Sequence, residues 1–201
     1  MTWIETIPFA AATGRLRRLY DRVKGPRDNV DNIMVAHSLR PHSMDCHMAL
    51  YKSVLHHSAN TIPKWFLEAV GVYTSLLNHC DYCVEHHYAG LRRLLPGDSR
   101  AAAMRNALET GDFLRAFSNR EATALGYAQA LTQSPWNLTE AHVSALREAG
   151  WADGEILEIN QVVAYFNYAN RTVLGLGVDT EGDVLGLSPG DSDDPENWRH
   201  A

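Results

Sequence analysis

Cysteine is scarce in this chain. Three residues in 201, an odd number, do not make a secreted disulfide scaffold. Long apolar runs are missing as well: no stretch reaches the roughly 18 apolar residues that a membrane-spanning helix needs. The opening stretch, MTWIETIPFAAATGRL, lacks a basic start followed by an apolar core, so no signal peptide is expected. Nor is positive charge in excess. Lys and Arg total 18 against 24 Asp and Glu, a formal net charge of −6, whereas nucleic-acid binders show basic domains with clustered Lys and Arg. The one basic run, Arg15, Arg17, Arg18, Arg22 and Lys24, is interleaved with Leu16, Leu19, Tyr20 and Val23. It reads as the solvated face of an amphipathic helix. No nucleic-acid or membrane partner is expected, and the default is a cytoplasmic protein. In that reducing compartment a close cysteine pair is more often catalytic or metal-binding than structural.

What is present is ordinary material for a buried core: 45% hydrophobic and 21% charged residues. Apolar residues recur with a helical period almost everywhere, and no alternating strand stands out. A first helix is expected over 10–23. A second starts near Pro41, with Met44, Met48, Leu50, Tyr51 and Leu55 on its apolar face. Pro63 suits the first turn of the next, where its missing N–H would be unpaired anyway. That helix carries Trp65, Ala69, Val72, Tyr73 and Leu76 and should end near Asn78. Another runs from about 81 to 95, stopped by Pro96-Gly97. Helices follow at about 99–109, 119–132 and 139–149, the last with Thr139 as N-cap and Gly150 as its stop. A long final helix begins near Asp153. From Gly175 onward the composition turns Gly- and Asp-rich. The expectation is a single all-α domain over 1–175 and an extended or partly mobile tail over 176–201.

The stretch HCDYCVEHH, residues 79–87, concentrates the chemistry. At a helix start, unpaired backbone N–H groups and the positive end of the dipole favour thiolate over thiol. A free cysteine has a pKa near 8.5, and such surroundings lower it by a unit or more. Cys80 and Cys83 share one helical face, close enough for a disulfide after modest adjustment. His87 lies one turn beyond Cys83 on that face, and an imidazole, with its ordinary pKa near 6.5, can take a thiol proton. His86 points about 100° away and, with His79, reads as solvated or satisfied in the core. Glu68 sits among Trp65, Leu67, Ala69 and Val72, where a free carboxylate is expensive to bury. In one straight helix Glu68 and Cys83 would be about 22 Å apart. If the chain turns back near 78–80, Glu68 lies about ten residues below the turn and His87 about seven, roughly level. Either a Cys83–His87–Glu68 relay or an exposed glutamate in an ordinary salt bridge fits that count.

Glu68, eleven residues, then Cys80-Asp-Tyr-Cys83-Val-Glu-His-His87 resembles the E-x11-C-x-x-C-x3-H signature of the alkyl hydroperoxidase D family. That family belongs to the all-α carboxymuconolactone decarboxylase-like superfamily. The flanking stretches SLRPHSMDCHMALYKSVLHHSANTIPKWFLEAVGVYTSLLNHC and LTEAHVSALREAGWADGEILEINQVVAYFNYANRTVLGLGV resemble its peroxidase-related branch. The resemblance implies a helical bundle and thiol-dependent reduction of alkyl hydroperoxides, an antioxidant role. It further implies Cys83 as peroxidatic thiol, Cys80 as resolving thiol with a redox-active disulfide between them, His87 as base, and Glu68 completing the relay. A thiol or dithiol reductant and a homo-oligomer, commonly a trimer or hexamer, are implied by the same likeness; no cofactor is expected, because the Gly-containing stretches 175–177 and 186–190 lie in the tail and not between a strand and a helix. Helices 63–77 and 156–174, apolar on more than one face, are compatible with burial between subunits. One position departs from the pattern: the best-known members carry a second histidine between the cysteines, where this chain has Tyr82. A phenol donates a hydrogen bond but is a poor base near neutrality.

Three rivals use the same residues. Cys80, Cys83 and His87 are three zinc ligands of the right type, but structural zinc wants a fourth. Cys46, between Asp45 and His47, reads instead as a buried, inert thiol. A lactone decarboxylase of the same superfamily would as a rule not need the cysteine pair. A thiol–disulfide adapter or redox sensor would use the pair without turning over peroxide.

Overall fold

The computed structural model describes residues 2–95 and 97–199. Among them are nine α-helices, three short 3-10 turns and no strand. In chain order the helices are α1 (Gly14–Val23), α2 (Asn32–Ala36), α3 (Pro41–Leu55), α4 (Lys64–Leu77) and α5 (Asp81–Leu94). They continue with α6 (Asp98–Thr110), α7 (Asn119–Gln133), α8 (Glu140–Glu148) and α9 (Asp153–Leu176). The all-α expectation holds, and most helix bounds fall within a residue or two of the periodicity. The first expected helix is divided, with a 3-10 turn at Phe9–Ala11 before α1. Helix α2 carries no legible period because it is a single short turn or so. Pro63 stands one place earlier than expected, as the N-cap of α4. The expected stop at Pro96 lies outside the described residues.

Helix α4 is the centre of the bundle. Every residue from Phe66 to Ser75 is buried, and α5, α7 and α9 pack around it. Its apolar residues on several faces are therefore used within one chain, so they carry no sign of a subunit interface. A helix apolar all round is what a surrounded helix requires. Gly71 is the close-approach point: a Cβ there would fall 2.3 Å from the Phe166 ring of α9. Two further expectations fail on α3. Leu50 is exposed at 39%, because α3 is covered on only part of its girth. Cys46 is exposed rather than buried, for the same reason.

Local signals set the ends. Ser118 caps α7 by a reciprocal pair, the Ser118 Oγ accepting from Glu121 N–H (3.3 Å) and the Glu121 carboxylate from Ser118 N–H (2.7 Å). Thr139 is the N-cap of α8, and its N–H donates to His142 Nδ1 at 3.1 Å. Gly150, at φ +92°, closes α8 as expected. The turn between α4 and α5 places the cysteine pair. His79 N–H donates to Leu76 O (3.1 Å) and Cys80 N–H to Ser75 O (2.9 Å), the paired bonds of a Schellman close. His79 occupies the left-handed position usually given to glycine, at φ +55°. This tight reversal makes Cys80 the N-cap of α5 and turns α4 and α5 into an antiparallel hairpin.

After α9 the described residues carry no helix, and they pack back along the bundle. Arg93 of α5 donates to the carbonyls of Gly186 (2.7 Å) and Leu185 (3.2 Å). Lys64 pairs with Asp191 at 2.8 Å, Lys52 donates to Asn197 O, and Trp198 is buried. Nothing in the local composition of this segment announced where it would lie.

Candidate functional site

The hairpin brings Glu68 and His87 together. Glu68 is 1% exposed, and its Oε2 lies 2.7 Å from His87 Nδ1. The turn at 78–80 puts the two on facing helices at matching depth, so the exposed-glutamate alternative is excluded. Burial alone would raise the Glu68 carboxyl. The His87 imidazole, with smaller help from His56 and Lys64, outweighs it and holds the carboxyl below its ordinary range. With Nδ1–H given to a carboxylate, the nitrogen of His87 left to accept a proton is Nε2. Phe166, seated on Gly71, meets the His87 ring edge-to-face at 4.5 Å and fixes its plane.

Both thiols are buried, Cys80 at 0% and Cys83 at 3%, and both are free. Their proton affinities diverge. The neighbouring Cys83 thiol, and then the Cys83 backbone N–H, hold the Cys80 thiol below its ordinary value against the cost of burial. Cys83 moves the other way, well above 9.0, through the Cys80 thiol first and burial second. Cys80, the N-cap of α5, is thus the more acidic thiol, chiefly through the Cys83 thiol, while the shared proton stays with Cys83. The helix start does not lower Cys83, the thiol that the family likeness makes the attacking one.

Access runs opposite to acidity. Cys83, His87, His86, Glu68 and Tyr82 line a single cavity in the bundle, and Cys80 does not reach it. Cys80 instead borders a separate surface groove with His79, Asp81, Glu85 and Asp179. His79 itself is exposed and serves the turn. Among the described residues no three His, Cys, Asp or Glu side chains come together as metal ligands.

Several members of the site were not legible beforehand. Asp183, far along the chain, accepts from Tyr82 Oη (2.8 Å) and from Asn32 N–H (3.1 Å), and it lies 3.1 Å from His86 Nε2. Tyr82 in turn accepts from Ile33 N–H at 3.1 Å. Burial, then the Asp183 charge, push the Tyr82 phenol well above 10, so it stays protonated and positions rather than transfers. His86 is satisfied in the core, as expected, by a partner the sequence did not name. His47 from α3, 2% exposed, also lines the cavity. Burial, with some help from His37, presses its imidazole down to about 3, so it is neutral near pH 7. His47 and Tyr51, four apart on α3, share the face that meets α9. That spacing was a usable signal.

The bundle of helices thus holds two buried cysteines, one of them facing the cavity that contains the carboxylate-held imidazole. The fold is that of the alkylhydroperoxidase AhpD-like helical proteins. An AhpD-core, peroxidase-related protein of Ralstonia eutropha JMP134 superposes with a TM-score of 0.76 at 24% identity, over 89% of this chain and 92% of that one. A peroxidase-related protein of Silicibacter sp. TM1040 gives 0.76 at 21% identity, over 90% and 95%. The debrominase Bmp8 gives 0.69 at 20% identity, over 90% and 91%. No family model and no curated protein matches the sequence. Among the described residues no helix is long and apolar enough to cross a membrane.

Proposed function

We propose that this chain is a thiol-dependent hydroperoxide reductase in which Cys83 is the attacking thiol and Cys80 the resolving one. The observation that carries this is the cavity that Cys83 and His87 share, together with the 2.7 Å bond from His87 to the buried Glu68. His87 Nε2 takes the Cys83 proton, and the thiolate attacks one oxygen of R–O–O–H. The O–O bond breaks, and the departing alkoxide takes the proton back from His87. Cys83 is left as a sulfenic acid. Cys80, the more acidic thiol, attacks that sulfur, expels water and forms the disulfide. The sum is one hydroperoxide and two thiols giving one alcohol, one water and one disulfide. An external thiol or dithiol restores the pair. The setting remains that implied by the family likeness: a cytoplasmic homo-oligomer.

Mixing the reduced protein with hydroperoxides and following thiols by mass spectrometry tests this. Cys83→Ser should consume no peroxide; Cys80→Ser should react once and stop at sulfenic acid. Equal behaviour of the two variants would reverse or remove the roles.

A second reading has its own support. The cavity has aromatic walls, among them Tyr51, Tyr165 and Trp198, and a cysteine-to-alanine variant of Bmp8 has been crystallised with 2,3,4-tribromopyrrole. A dithiol can replace an aryl bromide by hydrogen, giving a disulfide and HBr. Bromide release from that pyrrole by reduced protein decides for or against it.

A further inference from the structure

The two sulfurs face different spaces. Cys83 lines the bundle cavity and Cys80 does not; Cys80 lines the surface groove beside the start of α5 and Cys83 does not. Tyr82 lines both spaces and stands between them. It is fixed there by accepting from Ile33 N–H at 3.1 Å and donating to Asp183 at 2.8 Å. A disulfide between the cysteines therefore has its Cys80 end toward the groove and its Cys83 end toward the cavity.

Displacement at sulfur is in line: the attacking sulfur enters along the S–S axis, opposite the sulfur that leaves. A thiol arriving through the groove attacks Cys80 and expels Cys83; one arriving through the cavity does the reverse. The surroundings favour the groove. No residue lining the cavity is exposed, because the segment after α9 roofs it through Gly186, Leu187 and Trp198. The groove, by contrast, has His79, Asp81, Glu85, Leu174 and Asp179 exposed along its rim. Its floor is Val173 and Val178, which pack with Cys80 in one apolar cluster and cover the sulfur. Among the described residues neither lysine nor arginine lines the groove; Arg105 meets Glu85 at 3.3 Å from outside it. The attacking form of a thiol is already an anion, so a further carboxylate on the donor would meet three carboxylates with no lining lysine or arginine to offset them.

We propose that the groove beside Cys80 is the docking site of the electron donor, a dithiol with no acidic group near its sulfurs, which attacks the disulfide at Cys80. This rests on the peroxide chemistry proposed above and adds the partner and its point of entry. The donor thiolate bonds to Cys80 Sγ, the Cys80–Cys83 bond breaks, and Cys83 takes up the proton that the donor gave up. The donor's second thiol then attacks the donor sulfur bound to Cys80. The donor leaves as a disulfide, and Cys80 takes the second proton. Cys80, the more acidic of the pair, is the better leaving group in that step. The sum is one protein disulfide and one dithiol giving one protein dithiol and one donor disulfide.

The test uses the full chain, oxidised by tert-butyl hydroperoxide and separately by diamide, then reduced by monothiols in rapid mixing. After brief exposure to cysteamine, trapping the freed thiol with N-ethylmaleimide and fragmenting the peptide by mass spectrometry should place cysteamine on Cys80 and the maleimide on Cys83. The reverse placement would overturn the proposal. The rate ratio of cysteamine, a cation, to 3-mercaptopropionate, an anion, should fall about threefold to tenfold when Asp81→Asn and Glu85→Gln are combined. It should fall similarly in wild type at about 1 M salt, where the screening length is about 3 Å. Val178→Ala thins the cover on Cys80, so the rate of reduction by cysteamine should rise severalfold relative to the rate of oxidation by tert-butyl hydroperoxide. Ratios that ignore salt and all of these variants would also overturn it. Failure of the peroxide reading is separate: diamide would then form the disulfide while no hydroperoxide does, and the placement of cysteamine would still decide the point of entry. If neither oxidant forms the disulfide, both readings fall.

Discussion

Glu68→Gln isolates charge from shape. Glutamine matches the size of the buried side chain, and its amide oxygen can accept the same His87 Nδ1–H bond now made at 2.7 Å. What disappears is the negative charge facing the imidazole. When His87 takes the Cys83 proton it becomes a cation, and at an effective dielectric of 20 a counter-charge a few ångströms away is worth about 4 kcal/mol. General-base assistance is typically worth about 10²–10⁴ in rate, which brackets that figure. Stopped-flow oxidation of the reduced variant by tert-butyl hydroperoxide at pH 7 should therefore be slower by a factor in that range. The deficit should persist to pH 9, because Cys83 ionises unaided only well above 9.0. Stability gives an independent reading. The folded Glu68 carboxyl sits below its ordinary 4.5, so its contribution is present above 4.5 and is lost as pH falls toward the folded value. Urea unfolding of wild type should show that acid loss, and the variant should lack its share of it. A variant within twofold of wild type at pH 7, with a superimposable pH profile, would make Glu68 a packing residue and leave Cys80 and the helix start to activate the pair.

Single residues elsewhere give further outcomes. His79 holds a left-handed conformation at φ +55°, so His79→Gly should be neutral to slightly stabilising, whereas His79→Val should cost about 1–2 kcal/mol in urea unfolding. His47 titrates near 3 when folded against an ordinary 6.5. Its stabilising effect is complete above 6.5 and erodes below it, with about 3 kcal/mol lost by pH 4. His47→Phe should narrow the wild-type stability advantage between pH 7 and 4 by that order; a constant gap would show His47 to be solvated. Gly71→Ala places a methyl into the Phe166 ring and should cost about 1–3 kcal/mol, with slower thiol oxidation as Phe166 shifts against His87. Full stability with unchanged kinetics would mean that α9 has room to move.

The sequence by itself marked the helical hairpin and the level at which Glu68 and His87 could meet, while leaving an exposed Glu68 equally open. Periodicity marked α4 and α5, their break fell at 78–80, and a rise of about 1.5 Å per residue set Glu68 level with His87. Such contacts depend on helix geometry and one turn, both locally encoded. It also marked the cysteine pair as chemical, because residue type and spacing are read directly. What tertiary structure alone decided is everything that depends on distant chain segments. Asp183 reaches Tyr82 across 101 positions, and Trp198 meets Tyr51 across the fold, with no period to announce either contact. The exposure of Cys46 depends on which side of α3 is left uncovered. The division of the thiols, Cys80 holding the acidity and Cys83 the access, arises from where helix, cavity and roof meet. A spacing of three residues places two sulfurs together; only the surrounding packing makes them unequal.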